Sequence, residues 1–397
     1  MTATQSSPLT LISKSASTKT QAVPPLVEQL KGGLDAPICL TWELTYACNL
    51  ACVHCLSSSG RRDPKELTTA EALAVVDELA DLQVFYVNLG GGEPMLRKDF
   101  LDIVDHAVSR NVGVKFSTNG YYIDKAAAER FAATDLLDIQ ISLDGFDAET
   151  NDAVRGKGSW EAARRAMDNL ADANFGEFKI SIVATRHNVD QLDDYKKMAD
   201  EYGAQLRVTR LRPSGRGVDS YQDLRLTHPQ QQQIFRWIMD HPDVLTGDSF
   251  FHLNALGKDT GETLPGLSMC GAGRIVCLID PIGDVYACPF VIHDEFMAGN
   301  VRDTGGFASV WRESDLFQEL REPGAAGACA SCNAYEACGG GCMAAKFFTG
   351  IPLDGPDPDC ALGHADEAVA AASAAGVVPQ PSQDHSRRPV TLGAKPS

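Results

Sequence analysis

Between Pro37 and about Leu211 the chain alternates short runs rich in β-branched and aromatic residues with stretches whose apolar positions recur at helical spacing. Six runs read as strands: PICLTWEL (37–44), VFYVNL (84–89), VGVKFST (112–118), LDIQISLD (137–144), FKISIVAT (178–185) and LRVTRL (206–211). The helix after the first opens at TTAE, where Thr68 and Glu71 have the spacing of a capping box. Ala72, Val75, Val76, Leu79 and Leu82 then fall on its apolar face. Strands separated by helices in this way join in parallel through crossover connections, so the pattern predicts an α/β fold, a partial (β/α)6 barrel of the TIM type. Eight units close a full barrel. Six leave it open on one side, or leave a gap for the rest of the chain to fill. Chemistry in such a fold sits beyond the carboxyl ends of the strands.

The polar, glycine-bearing segments fall at that rim. CNLACVHC (48–55) follows the first strand, GGGEP (90–94) the second, TNG (118–120) the third and SLDG (142–145) the fourth. Each alone is an ordinary turn; four on one rim make a candidate site. Both ends of the chain are poor in residues that a core could bury and read as tails.

The 397 residues carry a formal net charge of −18, which disfavours nucleic acid and anionic membrane surfaces as partners. No apolar run approaches the roughly 20 residues of a membrane span, and the first residues lack the apolar segment of a secretory signal. A cytoplasmic location is therefore expected. Twelve cysteines in a reducing compartment point to metal or cluster ligation and not to a disulfide framework.

Cys48, Cys52 and Cys55 offer three thiolates from one short loop. Three can hold three corners of a [4Fe-4S] cluster and leave one iron open, whereas a structural zinc takes four protein ligands; a catalytic zinc with three is the alternative. CxxxCxxC after the first strand together with GGEP after the second resembles the radical SAM family. The resemblance implies that S-adenosylmethionine (SAM) chelates the open iron, that Gly91, Gly92, Glu93 and Pro94 cradle its amino group, and that Ser117, Asn119, Ser142 and Asp144 contact the rest of it. It also implies reductive cleavage of the sulfonium to a 5'-deoxyadenosyl radical, which takes hydrogen from an unactivated carbon.

A second set of cysteines follows. Twelve residues separate Cys270 from Gly283, and four separate Gly283 from Cys288; then come Cys329, Cys332, Cys338, Cys342 and Cys360. This layout is similar to the SPASM domain, a cysteine-rich iron-sulfur extension of radical SAM enzymes, and implies two auxiliary [4Fe-4S] clusters, three in all. Cys277 brings the thiolates to the eight that two fully ligated clusters need. The resemblance implies Cys270, Cys277, Cys288 and Cys342 on one and Cys329, Cys332, Cys338 and Cys360 on the other. A zinc ribbon is the alternative for the CxxC segment. Cys39 is left over and reads as a small buried hydrophobe. Arg210, Arg212 and Arg216 could face a substrate or cofactor carboxylate. His54 reads as packing beside the cluster, and Gln230 to Gln233 as a solvated helix face.

From about Ile38 to His364 the chain resembles the radical SAM maturases of mycofactocin biosynthesis, through LGGGEPMLRKDF, RLRPSGRG and the cysteine layout. That resemblance implies a ribosomal precursor peptide whose C-terminal tyrosine is oxidatively decarboxylated and joined to the adjacent valine. It further implies a separate peptide-binding chaperone and a low-potential electron donor. The expected organisation is a flexible segment over 1–36, the barrel over 37–215, a bridging region over 216–265, the SPASM domain over 266–364 and a disordered tail over 365–397. Other readings are a pyrroloquinoline-quinone maturase, an anaerobic sulfatase-maturing enzyme, and a multi-cluster electron-transfer protein without enzymatic activity.

Overall fold

The computed structural model describes Leu30 and residues 33–375, apart from 177, 248, 267, 268 and 323. All six expected strands form: β1 (Cys39–Thr45), β2 (Tyr86–Gly91), β3 (Gly113–Thr118), β4 (Leu137–Ser142), β5 (Lys179–Ala184) and β6 (Gln205–Arg210). They pair in parallel and in chain order. Helices α1 (Thr69–Asp81), α2 (Phe100–Ser109), α3 (Lys125–Ala132), α4 (Ala148–Arg155), α5 (Ser159–Asp172) and α6 (Leu192–Tyr202) lie between them. The capping box is present at α1, where the Glu71 N–H donates to Thr68 Oγ1 at 3.3 Å and the Thr68 N–H to Glu71 Oε2 at 2.8 Å. Ala72, Val75, Val76 and Leu79 are buried on one face, and Leu82 caps the end half-buried.

The period of two along each strand sorts the barrel into an apolar shell and a polar lumen. Leu40, Trp42 and Leu44 of β1 are fully buried in the core. Their neighbours Thr41 and Glu43 instead line an internal cavity with Asn88, Ser117, Gln140, Ser181 and Thr209. An ordinary TIM barrel fills this space with branched aliphatic side chains; here a cavity of about 240 Å³ remains.

The C-terminal region does not close the barrel by pairing with β6. It extends the sheet at the other edge, where β7 (Val276–Ile279) runs parallel to β1, and β8 (Asp284–Tyr286) and β9 (Met297–Asn300) continue antiparallel. The bridging region contributes α7 (Gly217–Leu224) and α8 (His228–Asp240). Within α8, Gln232 and Gln233 face solvent as expected, but Gln231 is buried and Gln230 closes a capping box with Thr227.

Two segments read as tails carry structure where they are described. Leu30 packs with Met269, Ile275 and Val276, and the Trp311 indole N–H donates to Leu34 O at 2.8 Å. After α9 (Gly306–Glu313), α10 (Asp315–Leu320), α11 (Tyr335–Cys338) and α12 (Met343–Phe348), a further helix, α13, spans Asp366–Ala375 inside the expected tail. The rest of both tails lies outside the described residues.

Candidate functional site

The loop after β1 is fixed at its base before any thiol is reached. Buried Glu66 accepts from Thr45 Oγ1 at 3.0 Å and from the Tyr46 N–H at 2.9 Å. The Cys48 N–H donates to Gly60 O at 3.0 Å, and Arg216 clamps the far side through Cys52 O at 2.9 Å and Ser59 O at 2.8 Å. Cys48, Cys52 and Cys55 thereby reach the same cavity wall. Burial pushes the Cys52 thiol up to about 11, against the pull of Arg155. Burial likewise pushes Cys48 well up, with the other two thiols adding to it. Buried neighbouring thiols that keep their protons are set to release them to a metal.

The glycines after β2 form the facing wall. A Cβ on Gly92 would stand 2.0 Å from Ala47 O; Gly91, at φ +106°, would place one 2.5 Å from Thr45 O. The Gly92 N–H donates to Thr45 O and the Glu93 N–H to Ala47 O, each at 2.8 Å. Only residues without a side chain let the two loops lie this close. A Cβ on Gly90 would meet nothing within 4 Å, because that position opens on the cavity. Three thiols on one wall and a bare backbone on the other fit a [4Fe-4S] cluster with a small chelating cofactor beside it.

Of the expected cofactor contacts, Gly91, Gly92, Ser117, Asn119 and Ser142 line the cavity. Glu93, Pro94 and Asp144 are buried behind it. The Glu93 carboxylate accepts from Thr118 Oγ1 and the Asn119 N–H at 2.9 Å, tying the second loop to the third. Burial lifts its pKa to about 7 against those hydrogen bonds. Asp144 accepts from the Val183 N–H at 2.7 Å and lies 2.7 Å from Arg155 Nε and 3.0 Å from His54 Nε2. Burial opposes its ionisation, but Arg155 and His54 outweigh that and hold it well below the usual carboxylate range. Both carboxylates bond into the elements behind the cavity. His54 lines the cavity and is anchored in the fold through Asp144.

The three arginines after β6 all reach the cavity, with different duties. Arg216 holds the cysteine loop, Arg212 lies over the Phe290 ring at 4.1 Å, and Arg210 is buried against Asp357 and Asp359. The carboxylates that Arg210 meets are thus the protein's own. Glu43, Arg155, Arg207 and Phe290 line the cavity without having been marked in the sequence. Glu43 was open to discovery, since a carboxylate on the lumen face of β1 stands out against the alternation; the others depend on contacts that no local pattern records.

A second cavity is lined by Cys329, Cys332, Cys338 and Cys360, the four expected to share an auxiliary cluster. Burial raises the Cys338 thiol to about 11, and Cys360, Cys329 and Cys332 all add to it. Cys270, Cys288 and Cys342 pack into the main core. Cys277 is fully buried in the same core. It sits in β7 paired with Leu40, fully buried among apolar side chains, and the one thiol that adds to its raised pKa is Cys39. Counting cysteines places it on a cluster; its pairing with Leu40 sets it on the apolar face of the strand. Cys39 itself is only half-buried. Cys277→Ala is therefore expected to keep the full iron content of the reconstituted protein, while Cys288→Ala loses about four irons. Equal iron loss in the two variants would return Cys277 to the ligand set.

A radical SAM superfamily model matches residues 42–199, and a model of the SPASM iron-sulfur cluster-binding domain matches residues 270–333. The chain is 62% identical over 371 residues to the mycofactocin maturase MftC of Mycolicibacterium smegmatis, covering 93% of each chain. It is 60% identical over 385 residues to MftC of Mycobacterium tuberculosis, covering 95% of this chain and 97% of that one. Among solved structures it is similar in fold to Streptococcus suis SuiB bound to the precursor peptide SuiA. The TM-score is 0.66 at 16% identity, with 84% of this chain and 77% of that chain covered.

Proposed function

The chain belongs to the mycofactocin maturase family of radical SAM enzymes, and we propose that it oxidatively decarboxylates the C-terminal tyrosine of a ribosomal precursor peptide and cross-links it to the adjacent valine. The observation that carries this reading is the near-complete, 62% identical match to a mycofactocin maturase. The site is consistent with it. When bound, the cluster and SAM supply a carbon radical able to take hydrogen from an unactivated position. Cys48, Cys52 and Cys55 would hold that cluster, and the Gly91 and Gly92 backbone would hold the SAM amino group. Ser117, Asn119 and Ser142 would position the remainder, and the lumen would exclude water from the radical. The four cysteines of the second cavity would hold an auxiliary cluster able to pass an electron. A separate peptide-binding chaperone and a low-potential electron donor complete the reading.

Peptides ending in Val-Tyr, deuterated at one or the other Cβ, test it. With reconstituted enzyme, chaperone and SAM, label from tyrosine is expected in 5'-deoxyadenosine in the first turnover and label from valine only afterwards. Cleavage of SAM with no label transferred from either carbon would overturn the assignment.

A further inference from the structure

Glu43 lies on the lumen face of β1, two residues before the loop-bearing Thr45 and paired with Gly90 of β2. Its side chain is 1% exposed and lines the cavity, and its Oε2 has no hydrogen-bond partner. A buried polar atom without a partner is costly, and such atoms persist where a ligand or a reaction uses them. Ser57 of the cysteine loop stands beside the carboxyl, and a Cβ on Gly91 would meet Glu43 Cβ at 3.1 Å, so the group is held between the two loops that build the site. The structural role open to a buried carboxyl, bracing one loop against another, is filled by Glu66 and Glu93 through hydrogen bonds and by Asp144 through a hydrogen bond and its ion pairs with Arg155 and His54.

We propose that Glu43 is the proton donor of the peptide reaction, delivering a proton from its carboxyl to the tyrosine-derived carbon that is left as a radical after the carbon-carbon bond has formed. The proposal rests on the reaction assigned above. Addition of the valine carbon to the decarboxylated side chain consumes its double bond and leaves an odd electron on the benzylic carbon. Closing that valence takes one electron, from the low-potential donor the reaction already requires, and one proton. The Glu43 O–H bond breaks, a C–H bond forms, and the carboxylate recovers its proton from solvent between turnovers.

The surroundings keep the proton in place until then. Burial first, and then the negative charge of Asp280, push the Glu43 carboxyl up to about 8, while Ser57 opposes them. Tyr46, which donates to Asp280 Oδ2 at 2.7 Å, and Tyr286 lie close to it, and the three thiols, His54 and five arginines (Arg155, Arg207, Arg210, Arg212 and Arg216) line the same cavity. Burial raises Asp280 to about 7. The protonated form of Glu43 is therefore present below about pH 8 and is lost above it.

The test separates the two halves of the reaction in the reconstituted enzyme with a Val-Tyr peptide. In Glu43→Gln, of the same size, decarboxylated peptide and its 5'-deoxyadenosine are expected within about twofold of wild type, while cross-linked product falls about a hundredfold or more, the usual range for loss of a general acid. Glu43→Asp should recover part of the product. In wild type the yield of product per decarboxylated peptide should decline as pH rises through about 8, and the infrared C=O band of a protonated carboxyl at pH 7 should be missing from Glu43→Gln even without peptide. Wild-type partition in Glu43→Gln, or no such band to lose, overturns the proposal. If Glu43→Gln fails to fold, judged by lost iron, the pH limb in Glu43→Asp and the wild-type band decide it. Absence of decarboxylation by wild type overturns the underlying reaction, a distinguishable result.

Discussion

Replacing Cys48, Cys52 and Cys55 together by alanine is expected to abolish cleavage of SAM to 5'-deoxyadenosine and to remove about four irons, leaving the auxiliary set in place. The loop does not depend on the thiols for its shape. Glu66 pins its start, Arg216 its middle, and the Cys48 and Gly60 backbones bond across it. The variant should therefore fold, with the loss confined to what the thiolates hold. Cys329, Cys332, Cys338 and Cys360 line a different cavity, past the carboxyl end of β6, and none of them takes part in the first. Iron and sulfide content with the spectrum of the remaining clusters reads one outcome, and chromatography of the nucleoside product the other. Persistent 5'-deoxyadenosine would show that the three-thiolate loop has been misassigned.

Much of this was legible because it is local. The six barrel strands alternate or run apolar over five or more residues, their loops carry the glycines and cysteines, and Thr68 with Glu71 announces α1 three residues apart. What the sequence concealed is direction. Cys277 lies in the apolar run VCLI, which carries no sign of the face its thiol takes; pairing with Leu40 sets it on the apolar one. Glu93 and Asp144 sit in motifs at the rim, yet each bonds backward into its own neighbouring loops, and only Thr118, Val183 and Arg155 in three dimensions show it. Gln231 is one glutamine among four alike in sequence, distinguished by which side of α8 meets the core. The alanine-rich stretch at Asp366–Ala375 reads as low in apolar bulk, and it reads equally as good helix former, which the fold uses.

Arg210→Met is expected to destabilise the protein by about 3–5 kcal/mol, the usual effect of removing one partner from a buried ion pair. Arg210 is 4% exposed at the end of β6 and meets Asp357 with both terminal nitrogens, and Asp359 Oδ2 at 2.8 Å from Nη2. Neither aspartate is free to turn to water. Asp357 also accepts from the Cys342 N–H at 2.7 Å, and Asp359 from Tyr221 Oη at 2.8 Å. One guanidinium thus joins the barrel rim to the segments carrying Cys342 and Cys360. Burial opposes the ionisation of Asp357, and Arg210 overcomes it, holding the carboxyl well below its ordinary value. A carboxylate with a depressed folded pKa contributes stability above its unfolded value of about 3.9, and that contribution is lost as pH falls through the folded one. Without Arg210 the buried Asp357 carboxyl instead shifts upward and takes up a proton, so the deficit of the variant should be full at pH 7.5 and smaller at pH 5.5. Adding Asp357→Asn to Arg210→Met should cost less than the two single losses together, since the second change removes a charge the first left unpaired. Denaturant midpoints of the reconstituted proteins at the two pH values measure all of this. A deficit below about 1 kcal/mol that does not change with pH, the behaviour of an exposed pair, would show that the two halves of the molecule are not held together through this arginine.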